Sequence, residues 1–315
     1  LDPDSLYTYL LTFGFTPRTQ NGIGYVARDG AGVNGRATQS RSENLSWNIS
    51  NILTWSKQFE NSDLELLAGQ EAVGEEYSVL SAGVTDFSVP GNPELVWGGT
   101  PTTPSSSVSD WSMASYLGQA KYSHASKYYF SGSVRSDGSS RFGVNNRYGL
   151  FYSVGGSWRV TKEDFMENVE WMNNLKLRAS YGTSGNNNIG NYASLGLYGA
   201  GANYGGYPGI TPIQPENKDL AWEKIASLNV GFETTLLNVL ELSFEYYNRD
   251  SDKLLFAQPL SGGTGFGSIL TNLGAMSNSG FEGNINWDAV NHENFKYSLG
   301  LNISTNKNVI NNLES

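Results

Sequence analysis

Between Tyr128 and Val160 the chain sorts its residues by parity. Tyr128, Phe130, Gly132 and Val134 alternate with Tyr129, Ser131, Ser133 and Arg135. After a Gly/Ser-rich break, Tyr148, Leu150, Tyr152, Val154, Trp158 and Val160 repeat the pattern. Leu175, Leu177, Ala179 and Tyr181 repeat it again, with Lys176, Arg178 and Ser180 between them. A period of two sustained over such lengths predicts strands with unlike faces. The same pattern extends in both directions. Upstream it runs through Leu45–Phe59, Leu64–Ala68 and Ala114–Tyr122, although Ile52 and Leu67 fall on the polar side. Downstream it runs through Leu228–Phe232, Leu240–Tyr246, Phe281–Trp287 and Phe295–Ile303. Counted together these predict about ten antiparallel strands.

The breaks between strands are of two kinds. Short turns are predicted at Glu60–Asp63, Ser123–Ala125, Leu237–Asn238 and Asn291–Glu293. Thr161-Lys-Glu-Asp164 reads as the capped start of a short helical turn, with a hydroxyl ahead of acids. Long connections are predicted at Gly74–Asp110, Asn186–Glu223 and Asp250–Ser277, with a lesser one at Asp137–Asn146. Residues Leu1 to Glu43 show weak periodicity and read as a loop carrying at most one strand, near Leu6–Phe15.

Strands with one apolar and one polar face suit a soluble sandwich as well as a membrane barrel. The aromatic residues separate the two. Phe59, Tyr122, Tyr128, Trp158, Trp287, Phe295 and Tyr297 fall toward the short turns, and Tyr148, Tyr181, Tyr246 and Phe281 toward the long loops. Two such rows are what a bilayer with two interfaces demands, and a sandwich has no reason to make them. The expected fold is therefore all-β: an antiparallel transmembrane β-barrel, of which residues 1–315 form a part.

Composition agrees. Thirty-seven glycines and 13% aromatic residues suit strands and turns. A net charge of −10 argues against a nucleic-acid surface. Without cysteine there is neither a disulfide framework nor a thiolate metal site. No Met and no apolar leader open the chain at Leu1, so it reads as an internal stretch of an exported protein.

Candidate chemistry is sparse. His124 and His292 each stand alone in a short turn, where no convergent ligands or bases are apparent. Gly262-Gly-Thr-Gly-Phe-Gly267 lacks the helix and lysine of a phosphate loop, and the acidic spacing of a calcium loop is absent near Asp137. No catalytic, cofactor or metal residues are assigned, and the chain is not expected to be an enzyme. Arg135, Arg159, Lys176, Arg178, Glu233, Glu241, Glu245 and Arg249 project to the polar face by parity, where a salt-bridged wall and substrate contact are both open readings. The substrate-binding candidates are Arg135 and Arg178 on that face, with Trp97, Trp111, Tyr204, Tyr207 and Trp222 in or beside the long loops. The aromatics could stack on sugar rings or simply anchor the loops.

Several blocks resemble one family. Arg135-Ser-Asp-Gly-Ser-Ser-Arg-Phe-Gly143, Arg147-Tyr-Gly149, Ser157-Trp-Arg159, Leu175-Lys-Leu-Arg-Ala-Ser-Tyr-Gly182, Gly185-Asn-Asn187, Leu220-Ala-Trp-Glu223, Asn272-Leu-Gly274 and Asn278-Ser-Gly-Phe-Glu282 occur in the order found in SusC/RagA-type TonB-dependent outer-membrane transporters. Pro215-Glu-Asn-Lys-Asp219 departs from the Asn-Pro-containing run usual before Leu-x-Trp-Glu. The resemblance implies a barrel of roughly 22 strands, a size that needs a plug. It also implies energised import of an oligosaccharide or peptide across a bacterial outer membrane. The implied partners are a SusD-like surface lipoprotein, the TonB complex acting through an N-terminal part outside this chain, and outer-membrane lipid. The alternative is a soluble β-rich carbohydrate-binding or adhesin module. A siderophore transporter of the same fold is a third option, which the blocks disfavour.

Overall fold

The computed structural model describes residues 7–15, 18–28, 35–88 and 94–313, with side chains described from residue 35 onward. Its strands are β1 (Tyr7–Phe15), β2 (Arg18–Arg28), β3 (Arg36–Phe59), β4 (Ser62–Phe87), β5 (Gly98–Pro101), β6 (Ser105–His124), β7 (Tyr128–Ser139), β8 (Tyr148–Arg159) and β9 (Met172–Asn186). They continue as β10 (Leu197–Tyr204), β11 (Tyr207–Gln214), β12 (Glu223–Leu236), β13 (Leu240–Asp252), β14 (Leu255–Pro259), β15 (Ser268–Asn272), β16 (Ala275–His292), β17 (Phe295–Ser304) and β18 (Lys307–Asn312). Among the described residues there is no α-helix, only short 3-10 turns.

Fourteen strands form one sheet, in the order β1-β3-β4-β6-β7-β8-β9-β12-β13-β16-β17, with β2, β5 and β18 paired at its flanks. The strands that alternation predicted are all present, from β3 to β17 along this path. The chain divides into two compact units. One holds residues 51–70 and 115–315 with the first residues of β1, and the other holds 13–50 and 71–114.

Within the larger unit, register explains the parity. Val154 faces Gly132 and Tyr181, Phe232 faces Leu177 and Phe244, Leu242 faces Ile285, and Ile285 faces Leu301. One face is thus apolar across neighbouring strands, yet it is exposed: Phe130, Leu150, Val154, Leu301 and Ile303 are all more than half accessible. Water-soluble proteins rarely leave so large an apolar surface uncovered.

Aromatic rings mark both ends of this face. Near the short turns Tyr122, His124, Tyr128 and Trp158 form a stacked row with centroids 6.4–6.5 Å apart. Toward the long loops Tyr152 lies 6.3 Å from Tyr181, and Tyr246 lies 5.1 Å from Phe281. Trp158 and Tyr148 are ten residues apart on β8. At about 3.3 Å per residue and a tilt near 40°, they stand roughly 25 Å apart in height, the expected thickness of a membrane-facing band.

Three expectations are corrected. Residues 1–43 are not a loop with one strand at most: β1, β2 and the start of β3 lie there, with Leu6 outside the described residues. The connection placed at Gly74–Asp110 is much shorter, because β4 runs on to Phe87, β5 pairs back on it and β6 begins at Ser105. Outside an apolar band both faces of a strand can meet water, so pairing persists where alternation stops. The short helical turn expected at Thr161 is present as two 3-10 turns, Val160–Lys162 and Asp164–Met166, and only its hydroxyl cap is corrected, since neither has a side-chain cap. The Thr161 hydroxyl instead accepts a hydrogen bond from Leu175 N at 3.3 Å.

The smaller unit has its own core of Ala37, Val84 and Phe87, with Leu95 against it. Glu75 joins its strands, accepting from Asn44 Nδ2 at 2.9 Å and from Trp111 Nε1 at 3.0 Å.

Candidate functional site

The polar face of the larger unit carries a branched ion pair. Arg178 on β9 donates to Glu233 of β12 at 3.0 Å and to Glu245 of β13 at 2.6 Å. Gly231 lies between Arg178 and Glu245 in register, so no side chain stands in the guanidinium's way. A Cβ there would sit 2.5 Å from the Phe244 carbonyl oxygen. Beside the pair is a concavity of about 740 Å³ lined by Lys121, Tyr129, Ser157, Arg178, Asn229 and Glu245 among others. Arg135 is held differently, its Nε donating to Asp137 at 2.7 Å. Both candidate arginines are therefore already paired with carboxylates, and with side chains about 40% exposed such pairs contribute little on their own.

At the short-turn end the connection between β8 and β9 is pinned by Glu163. Its carboxylate accepts from Tyr128 Oη at 2.5 Å, Trp158 Nε1 at 2.9 Å and Lys127 Nζ at 3.0 Å. The Tyr128 hydroxyl first, then the Trp158 indole and Lys127, hold the Glu163 carboxyl down to about 2. The same contact raises Lys127 above its ordinary value. Alternation could not reveal this clamp, because Glu163 lies outside any strand.

At the opposite end, three connections meet: 140–147, 187–222 and 253–274. Phe142, Leu220, Trp222 and Phe151 are buried there, with the Trp222 ring 4.6 Å from Phe142 and edge-on to Phe151 at 5.5 Å. Gly149 and Gly185 make room for these rings, since a Cβ at Gly185 would lie 2.2 Å from Phe151. Gly143 approaches the main chain of Lys218 so closely that a Cβ would lie 2.1 Å from its carbonyl oxygen. Gly143 N donates to Leu220 O and Asn145 N to Lys218 O. Arg141 donates to Asn187 O at 3.1 Å and to Asn191 Oδ1 at 2.8 Å. The sequence blocks around Phe142, Gly149, Gly185 and Trp222 thus converge on one small rim core.

Trp222 is only 4% exposed, and its indole donates to Arg147 O. Both of its neighbours are aromatic rings, so it packs the rim and offers no free face for stacking. Tyr204 and Tyr207 are the opposite, 88% and 77% exposed. They pair across the tip of the β10–β11 hairpin. Gly205 and Gly206 have φ of +58° and +89°, the two left-handed residues that a tight hairpin turn of this type requires. Asn203 Oδ1 accepts from Gly206 N and fixes the turn. The Gly-Gly pair between two short apolar runs is a sequence signal for this hairpin. In the smaller unit, Trp97 is about half exposed in a 3-10 turn, and Trp111 is tied to Glu75. Among the described residues no cluster of His, Cys, Asp or Glu could hold a metal.

The family model for the TonB-dependent receptor-like β-barrel matches residues 2–313. The chain belongs to that family. A TonB-dependent receptor of Formosa agariphila, P3, is 34% identical over 285 residues, covering 89% of this chain and 28% of its own length. The TonB-dependent receptor SusC of Bacteroides thetaiotaomicron is 32% identical over 211 residues, 64% of this chain and 21% of its own. The RagAB peptide importer in its closed-closed state superposes with a TM-score of 0.84 at 26% identity, over 99% of this chain and 37% of its own. The chain thus spans less than a third of these curated relatives. The architecture is that of a partial TonB-dependent barrel: alternation and girdles predicted the barrel, the sequence blocks predicted the family, and the soluble-module alternative gives way.

Proposed function

We propose that residues 1–315 are part of the transmembrane β-barrel domain of a SusC-type transporter that imports oligosaccharides or peptides across a bacterial outer membrane. The observation that carries this reading is the exposed apolar face between two aromatic rows, in a chain of this family. That face meets outer-membrane lipid, and the polar face lines the lumen. Import draws on the TonB complex, which acts through parts of the transporter beyond this stretch. A SusD-like lipoprotein rests on the long-loop rim, where Tyr198, Tyr204, Tyr207, Ile210 and Ile213 leave an apolar surface exposed in water. Tyr204 and Tyr207 are the first candidates for solute contact, with Trp97, Trp111, Arg135 and Arg178 behind them. Trp222 leaves this set because it is buried. The covalent chemistry of the solute is unchanged by passage.

The test is uptake of a labelled glucan oligosaccharide and a labelled casein peptide by cells with and without the full-length gene, each with and without functional TonB. Uptake of one probe that needs both proteins is expected. Uptake of neither, or uptake indifferent to TonB, contradicts the proposal.

A further inference from the structure

Two long loops of the rim each carry a hairpin, β10–β11 and β14–β15, and each hairpin pairs only with itself in the sheet topology. Left to themselves they would move independently, since a two-stranded hairpin is barely stable alone. Two side chains join the loops that carry them, near the roots of those loops. Asn272, the last residue of β15, accepts from Ala221 N at 2.7 Å through Oδ1. Its Nδ2 donates to Ala221 O at 2.8 Å and to Lys253 O at 3.0 Å. The amide therefore makes both bonds that a neighbouring strand would make to Ala221, and reaches across its own loop to Lys253. Asn217 adds a second tie, its Nδ2 donating to Leu270 O at 2.8 Å. Ala221 sits between Leu220 and Trp222, both buried in the rim core, so the Asn272 bond ends on rigid structure.

We infer that Asn272 is a positioning residue that holds the β14–β15 hairpin to loop 187–222, so that both exposed hairpins form a single capture surface for the imported solute. This rests on the transport reading above. The two loops would have to order separately on binding if the tie were absent, and that ordering would weaken capture. The step after capture would be untouched.

Asn272→Asp in the full-length transporter separates this role from packing. Aspartate is nearly the same size and keeps the acceptor for Ala221 N, but turns an oxygen toward two carbonyl oxygens. The expected result has three parts: normal outer-membrane levels with normal heat-modifiable mobility, faster protease clipping within 253–274, and weaker capture of the imported probe. Its half-saturating concentration should rise roughly tenfold, the size of losing one partly buried amide contact, with the maximal rate held within about twofold. If N272D matches the wild type in both clipping and half-saturation, the residue only fills space and the inference is wrong. Faster clipping with unchanged half-saturation also overturns it, since the tie would then not serve capture. Should N272D fail to assemble, Asn217→Asp, which removes the donor to Leu270 O, carries the same comparison. If the wild type imports neither the labelled oligosaccharide nor the labelled peptide, the transport reading fails, while the clipping comparison still decides whether the tie exists.

Discussion

The indole of Trp222 donates a 2.8 Å hydrogen bond to the main-chain carbonyl of Arg147, seventy-five residues earlier in the chain. With the main-chain bonds of Gly143 and Asn145 to Leu220 and Lys218, that contact closes loop 187–222 onto the connection ahead of β8, where the indole packs between Phe142 and Phe151. Trp222→Ala should open a cavity and cost about 3–5 kcal/mol, whereas Trp222→Phe should cost only about 1 kcal/mol for the lost hydrogen bond, because Arg147 O still accepts from Ser139 N. Protease clipping of loop 187–222 in the assembled transporter should follow that order. Equal clipping in both variants and the wild type would mean that the rim core does not hold the loop.

Gly143 gives a sharper steric test. Its missing side chain admits the Lys218 carbonyl, where a Cβ would sit 2.1 Å away, while Gly190 has nothing within 4 Å of its own Cβ position. Gly143→Ala should therefore displace the 217–221 segment and loosen the rim, at about 1–3 kcal/mol for overpacking. Gly190→Ala should be silent in the same clipping assay.

Much of the fold was legible because strands that cross between two media must alternate. Val154, Leu242 and Ile285 announce their face by parity alone, and Tyr128 and Trp158 announce its edge. The rim was legible only as a set of names. Phe142, Gly143 and Trp222 stood out as family blocks, but the contact between them joins positions about eighty residues apart, and no local pattern encodes it. Trp222 therefore entered the candidate binding set although it is a packing residue. Glu163 was missed for a similar reason: acids after Thr161 resembled a capped helix start, while its partners Tyr128 and Trp158 come from β7 and β8. The β10–β11 hairpin has a signal in Gly205-Gly206, but its two strands are short and alternate weakly, so periodicity predicts only a long connection there.

Glu163 makes the short-turn end sensitive to acid. Its folded value is lowered to about 2 from an ordinary 4.5, so the native state binds fewer protons than the unfolded state between those values. Its contribution is complete above pH 4.5 and is lost as pH falls through about 2. Undocking of the 160–171 connection, followed by protease clipping or by the fluorescence of Trp171, should therefore begin below pH 4.5. Glu163→Gln should abolish this acid dependence while leaving the connection weaker at neutral pH. An unchanged acid profile in the variant would assign the transition to another group.

The two faces should differ in what they tolerate. Leu242→Arg places a charge on the apolar face and should cost assembly about 2–4 kcal/mol if it lies near the bilayer centre. Glu245→Gln removes one of two carboxylates from Arg178 and should cost no more than about 1 kcal/mol. Heat-modifiable mobility of the two variants compares them directly, and equal tolerance would refute the assignment of faces.

The most direct measurement of the central claim, that the exposed apolar face meets lipid, is a nitroxide scan along β13. The chain contains no cysteine, so single cysteines at positions 241–247 are unique labels within it. In the full-length transporter reconstituted in bilayers, labels at 242, 244 and 246 should collide with oxygen and be shielded from a water-soluble nickel chelate. Labels at 241, 243, 245 and 247 should lose that oxygen preference. A two-residue oscillation in this order supports a membrane-spanning wall; chelate access at every position, or no oscillation at all, would contradict it.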